Sequence, residues 1–142
     1  MKIYKRLFTV EDVRTNFGYD LIAIAKQGGF ISKEAACEAW CDEAALSIHK
    51  LIVANRGADF AKRLYKTVEF TDEYNSKLAE QLKMIQLYEM LFIVENGNIQ
   101  LQAERKTNYK EHSDEAIELL YSNGILVMGA WSYGLKLYKW CV

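Results

Sequence analysis

The stretch that decides the fold reads SKEAACEAWCDEAALSIHKLIVANRG, from Ser32 to Gly57. Its apolar residues recur at steps of three and four, which places them on one face of an α-helix. Ser32 suits the N-terminal cap of this helix, and Gly57 stands where a left-handed residue that ends a helix is expected. We therefore predict one amphipathic helix of about 23 residues, roughly 34 Å long.

A second long helix is predicted further along the chain. Thr71 caps it, Asp72 and Glu73 occupy its first turn, and Asn96-Gly97 ends it. Its stretch Met84–Val94 is apolar on nearly all sides, which is typical of a helix that is buried centrally or shared between subunits. We favour the central core position over the subunit contact.

Shorter helices flank the two long ones, and polar caps and glycines mark most of their ends. They are predicted for about residues 10–17 after Thr9, for one or two turns from Leu21, for Ala58 to Val68, and after Ser113 as far as Asn123-Gly124. The 142 residues include no proline. This absence favours long helices, because proline costs about 3 kcal/mol inside one. The predicted fold is a mainly α, small helical bundle.

The segment from Ile125 to Val142 differs from the helical domain predicted for residues 1–124. It holds two lysines, no acidic residue and four large aromatic side chains, Trp131, Tyr133, Tyr138 and Trp140. Apolar and basic residues alternate near its end, which fits a strand or an extended arm. Tryptophan and tyrosine are enriched at interfaces. The four aromatics are thus candidate partner-binding residues, and a last strand on the protein's own core stays open as the alternative.

The charge balance argues against a protein that binds DNA over its whole surface. There are 18 Lys+Arg against 19 Asp+Glu, a formal net charge of −1. DNA-binding proteins usually carry a basic excess that displaces counterions from phosphates. A local basic stretch is a candidate nucleic-acid-facing surface, although a solvated helix face is the simpler interpretation. Its residues are Arg56, Lys62, Arg63 and Lys66.

The three cysteines, Cys37, Cys41 and Cys141, do not form a disulfide framework, because their number is odd. The first residues lack the apolar stretch of a signal peptide. We therefore expect synthesis in a reducing, intracellular compartment. We also expect no membrane span, since no segment supplies about 20 mostly apolar residues.

No metal, cofactor or catalytic residue is predicted. Cys37 and Cys41 share a helical face, but a structural zinc needs about four ligands, and two small buried hydrophobes explain them better. Cys141 with His112, or Cys37 with His49, could form a thiol–histidine pair, yet no nucleophile motif surrounds them. The glycine pairs lack the residues of a phosphate loop. We predict a protein that is not an enzyme, and a cysteine–histidine hydrolase stays as the third hypothesis.

The order of elements resembles a known family. A short helix with an N-terminal cap, Thr9-Val10-Glu11-Asp12-Val13, precedes a long helix around Glu38–Ala44. A second long helix follows from Leu78 to Val94. This order is similar to that of the small head–tail connector (adaptor) proteins of tailed bacteriophages. The resemblance covers about residues 9–97 and rests on helix order and favoured residue types.

The resemblance implies a structural virion protein. Copies would form a homo-oligomeric ring docked below the portal protein, joined to tail or further connector proteins, and would prolong the DNA channel without binding DNA tightly. The chain would be made in the host cytoplasm and act at the head–tail junction, with 125–142 as a gripping arm. The alternative is a small intracellular helical regulator or binding module for protein or nucleic acid.

Overall fold

A computed structural model of the chain describes residues 3–69, 72–95 and 112–128. These ranges contain six α-helices and no β-strand. The helices are α1 (Val10–Phe17), α2 (Leu21–Gln27), α3 (Lys33–Arg56), α4 (Ala58–Thr67), α5 (Glu73–Glu95) and α6 (Asp114–Ser122). The prediction of a mainly α-helical bundle, with two long helices and short flanking ones, is confirmed.

Polar caps begin three of these helices as predicted. The hydroxyl of Thr9 accepts from the backbone of Asp12, and the Asp12 carboxylate accepts from the backbone of Thr9, which forms a complete capping box on α1. Ser32 and Ser113 accept from the backbone three residues further on, at the starts of α3 and α6. These bonds satisfy backbone donors that have no partner inside the helix.

Two helix ends differ from the prediction. Gly57 has φ 93° and ψ 163°, so it is extended with a positive φ and not left-handed helical. This backbone turn lets α4 begin at the next residue. At the start of α5, Asp72 is the cap and lies outside the first turn, because its carboxylate accepts from the backbone N–H of Asn75 at 2.9 Å. Thr71, the predicted cap, lies outside the described residues.

The core is built around α3 and α5, which contact each other along their length. One apolar cluster joins α1 and α2 to the first half of α3 and the last part of α5. A second joins α4 and α6 to the last half of α3 and the first half of α5. Early residues of α3 therefore meet late residues of α5, and the two long helices run antiparallel. Within Met84–Val94, Ile85, Leu87 and Met90 are fully buried in the single chain, which confirms the core interpretation.

Two side-chain amides fix the extended segments on either side of the helices. Gln86, fully buried on α5, donates to the carbonyl of Lys5 at 2.8 Å and accepts from the N–H of Leu7 at 2.8 Å. Asn55, near the end of α3, donates to the carbonyl of Val127 and accepts from its N–H, both at 2.9 Å. Each amide pairs with the backbone as a neighbouring strand would.

The first residues of the predicted segment 125–142 join the helical body. Ile125 and Leu126 are only 2% and 5% exposed and belong to the second apolar cluster. Residues 129–142 lie outside the described residues, so the extended arm stays a prediction. Over the described ranges, no helix has the length and apolarity needed to cross a membrane.

Candidate functional site

The most distinctive polar feature of the core is the carboxylate of Glu89 on α5, which is only 1% exposed. Its Oε2 accepts from the hydroxyl of Ser47 at 2.9 Å and lies 2.9 Å from Nδ1 of His112. Its Oε1 accepts from the backbone N–H of Ser113 at 3.1 Å. One side chain of α5 thereby contacts α3 and the residues that lead into α6.

Serine, histidine and a carboxylate also make up a nucleophilic triad, so the geometry of this cluster is decisive. In a triad the two ring nitrogens of histidine face different partners, the acid on one side and the hydroxyl on the other. Here the same atom, Nδ1 of His112, lies 2.9 Å from Glu89 and 3.1 Å from the hydroxyl of Ser47. A proton cannot be relayed through the ring in this arrangement. The cluster therefore ties α3, α5 and the residues before α6 together, and its geometry differs from that of a triad.

His49 and Tyr65 form a second buried polar contact. Nδ1 of His49 lies 3.1 Å from the hydroxyl of Tyr65, and the ring of Tyr4 also stacks near His49 with centroids 5.9 Å apart. Burial lowers the pKa of His49 and raises the pKa of Tyr65, so both side chains are neutral at pH 7. The pair is a neutral hydrogen bond inside the core.

The cysteines of the described chain are buried and poorly reactive. Cys37 and Cys41 are both 0% exposed. Burial raises the pKa of Cys37, and it raises the pKa of Cys41 to about 12, so neither thiol ionises readily. Among the described residues, no group of three or more His, Cys, Asp or Glu side chains could hold a metal ion. His49 contacts Tyr65, in place of the thiol partner considered from the sequence, and Cys141 lies outside the described residues.

The basic stretch that the sequence singled out divides into two parts. Arg56 and Arg63 line a groove between α4, the first turns of α5 and the end of α6. Lys62 and Lys66 are exposed on α4, the helix of Arg63, but do not line the groove. Within the described chain, Lys62, Arg63 and Lys66 form no ion pair.

We name this groove the α4–α5 groove. Its volume is about 440 Å³, within the range of ordinary ligand pockets. It is lined by Arg56, Phe60, Arg63, Leu64, Thr67, Tyr74, Leu78, Asn123, Gly124 and Ile125. Leu64 and Ile125, only 7% and 2% exposed, belong to its floor, whereas Tyr74 is 74% exposed. The groove thus combines an apolar floor with two arginines and no acidic lining residue.

Arg56 is held in place at the edge of the groove. Its guanidinium lies over the ring of Phe60, 3.9 Å from the centroid, and donates to the carbonyl of Gly124 at 3.0 Å. Stacking and the hydrogen bond fix its orientation before any ligand arrives. This contact was not foreseen from the sequence, where Arg56 was grouped with the other basic residues only by proximity in the chain.

Sequence reasoning also missed the buried polar residues. Gln86 and Glu89 interrupt the otherwise apolar stretch Met84–Val94, and that interruption was the signal that could have found them, since a buried polar side chain needs a partner. The aromatic candidates Trp131, Tyr133, Tyr138 and Trp140 lie outside the described residues. The structure therefore brings together only Arg56 and Arg63 of the candidate partner-binding and nucleic-acid-facing residues.

Fold and site together define an α-helical protein in which the buried side chains of His49, Gln86 and Glu89 bond within the described chain, and whose surface carries a basic groove with an apolar floor. Comparison of the chain with protein-family models, with curated proteins and with solved structures found no match.

Proposed function

We propose that this chain is a structural, non-enzymatic protein of a phage particle, an oligomeric ring adaptor that joins the portal of the head to the tail and prolongs the DNA channel. The proposal rests on the resemblance of the helix order over about residues 9–97 to that of head–tail connector proteins. The single structural observation that favours a non-enzymatic scaffold is that four buried polar side chains form hydrogen bonds within the chain. His49, Gln86, Glu89 and Ser113 all bond within the chain. These four groups therefore serve the scaffold of the described chain.

The near-neutral charge supports this role. A channel through which DNA slides should not hold it by many phosphate contacts, because each contact adds to the binding free energy. The formal net charge of −1 meets that requirement. Contacts between copies, and with portal and tail proteins, would then involve apolar and aromatic side chains, the aromatic residues of 129–142 among them.

The experiment is size-exclusion chromatography with light scattering, on the protein alone and mixed with a phage portal protein. We expect a ring, or a portal-bound assembly, of defined mass. Alanine at both Trp131 and Trp140 should weaken the assembly, whereas alanine at Tyr121, an exposed aromatic of α6, is the matched control. A strict monomer that binds neither the portal nor the particle contradicts the proposal.

The α4–α5 groove favours a second candidate function, a small helical binding module. Gel shifts with DNA over several salt concentrations distinguish the two. DNA binding that weakens with salt, and that is lost in Arg63→Ala and Lys66→Ala, would favour the binding module over the ring adaptor.

A further inference from the structure

The side chains that line the α4–α5 groove include two arginines and no acidic residue. Arg56 is pre-oriented by Phe60 and Gly124, and Arg63 is exposed without an ion pair within the described residues. On the adjoining first turn of α5, Glu73 pairs with Lys77 at 3.6 Å. Asp59, one turn before Arg63 on α4, forms no ion pair with it in the described chain. The guanidinium groups are therefore available to carboxylates of an incoming partner, to which arginine binds in a bidentate geometry.

The floor of the groove is aliphatic. Leu64, Leu78 and Ile125 line it, and the only aromatic ring in the lining besides Tyr74 is Phe60, whose face is covered by Arg56. An aliphatic floor accommodates leucine-like or phenylalanine-like side chains. It offers few surfaces on which nucleic-acid bases could stack, although stacking is a main term in binding of single strands.

We infer that the α4–α5 groove binds an acidic peptide segment of a partner protein. One or two apolar side chains of that segment sit on Leu64, Leu78 and Ile125, and flanking carboxylates pair with Arg56 and Arg63. This assignment goes beyond the ring proposal and does not depend on it, since it concerns the isolated chain.

The charge of residues 129–142 does not complement the α4–α5 groove. The chain leaves the described residues at Met128, close to Gly124 and Ile125 of the groove. Residues 129–142 carry Lys136 and Lys139 and no acidic side chain, so they offer no side-chain carboxylate to Arg56 and Arg63. An acidic segment of a partner protein complements the groove better than this segment does.

The test is fluorescence anisotropy with a labelled twelve-residue peptide in which leucines at positions i, i+3 and i+7 alternate with glutamates. We expect a Kd on the order of 10–100 μM. Arg63→Glu should weaken binding at least about tenfold, while Lys50→Glu, the same charge reversal at an exposed site on α3 away from the groove, should leave it unchanged. Arg63 is exposed, so its substitution does not threaten folding.

Three further probes complete the design. The peptide with lysine for glutamate, and the peptide with serine for leucine, should both fail to bind. In ¹⁵N-labelled protein, the amides of Leu64, Leu78 and Ile125 should shift on addition of the acidic peptide. Binding that is equal in Arg63→Glu and the native protein, or shifts elsewhere, overturns the assignment. So does Arg63-dependent binding of oligothymidylate that is tighter than that of the peptide.

Discussion

Replacement of Glu89 by alanine tests whether the buried carboxylate holds α6 and its approach against the two long helices. The substitution removes the acceptor for the hydroxyl of Ser47 and for the backbone N–H of Ser113, and the partner of His112 Nδ1. All three contacts lie where water is largely excluded, since Glu89 is 1% and Ser113 is 3% exposed.

The expected cost follows from the partners left behind. Ser47 and His112 remain 3.1 Å apart and can bond to each other, so they lose little. The N–H of Ser113 has no other hydrogen bond within the described residues, and a stranded buried donor costs about 1–3 kcal/mol. The void left by the shorter side chain adds to this, and we expect a total loss of about 2–4 kcal/mol in the free energy of unfolding.

The measurement is urea unfolding followed by far-ultraviolet circular dichroism, with hydrogen exchange of the Ser113 amide as a local readout. Domains of this kind have about 5–15 kcal/mol of stability, so the variant should remain folded and measurable. Glu89→Gln is the matched control. It keeps an oxygen for Ser113 and an amide donor for the hydroxyl of Ser47, and it should cost about 1 kcal/mol or less.

Two outcomes of the Glu89 experiment would contradict the role of this carboxylate. If Glu89→Ala unfolds within about 0.5 kcal/mol of the native protein, and the Ser113 amide exchanges no faster, the carboxylate does not hold α6. If Glu89→Gln is as damaging as Glu89→Ala, the negative charge matters more than the hydrogen bonds.

Three other predictions concern single residues. Burial lowers the pKa of His49 from its ordinary 6.5, so at acidic pH the unfolded chain binds a proton that the folded chain does not, and the free energy of unfolding falls as the pH drops below about 6.5. Urea midpoints measured between pH 7 and pH 5 should therefore fall less in His49→Asn than in the native protein. An equal fall in both proteins would contradict the assignment. Burial raises the pKa of Cys41 to about 12, so iodoacetamide at pH 8 should label this thiol at least about a hundred times more slowly in the folded protein than in urea. Peptide mapping measures the two labelling rates, and equal rates would refute the burial of Cys41. Asn55→Ala should lower the free energy of unfolding by about 1–2 kcal/mol and expose residues 125–128 to proteases. Asn55→Asp keeps the acceptor and should lower the free energy of unfolding less. Unchanged proteolysis of Asn55→Ala would show that the amide does not hold Val127.

The helices were predictable because their signals are local. Thr9, Ser32 and Ser113 are short polar side chains that accept from backbone groups three residues away, and an apolar period of three to four marks the buried faces. The central position of α5 also followed from its apolar composition. The start of α5 was misplaced by one position, because Asp72 can serve either as a cap or as a first-turn acid and composition does not distinguish the two.

The sites were less predictable because their partners are distant in the chain. Glu89 meets Ser47 and His112, and Arg56 meets Gly124, across separations that no local pattern reports. The α4–α5 groove exists only once α4, α5 and the end of α6 have come together. The basic stretch could be found from its composition, but its division into two groove-lining arginines and two outer lysines could not.

The amides of Gln86 and Asn55 limit which substitutions these two positions accept. Each must supply a donor and an acceptor at a fixed reach from its helix. Aspartate or glutamate lacks the donor, and a change between asparagine and glutamine alters the reach by one carbon. Apolar core positions, by contrast, accept swaps among leucine, isoleucine and methionine at a usual cost of less than about 1.5 kcal/mol. The asparagine near the end of the first long helix and the glutamine midway along its antiparallel partner are therefore two positions where we expect almost any substitution to break a pair of backbone hydrogen bonds.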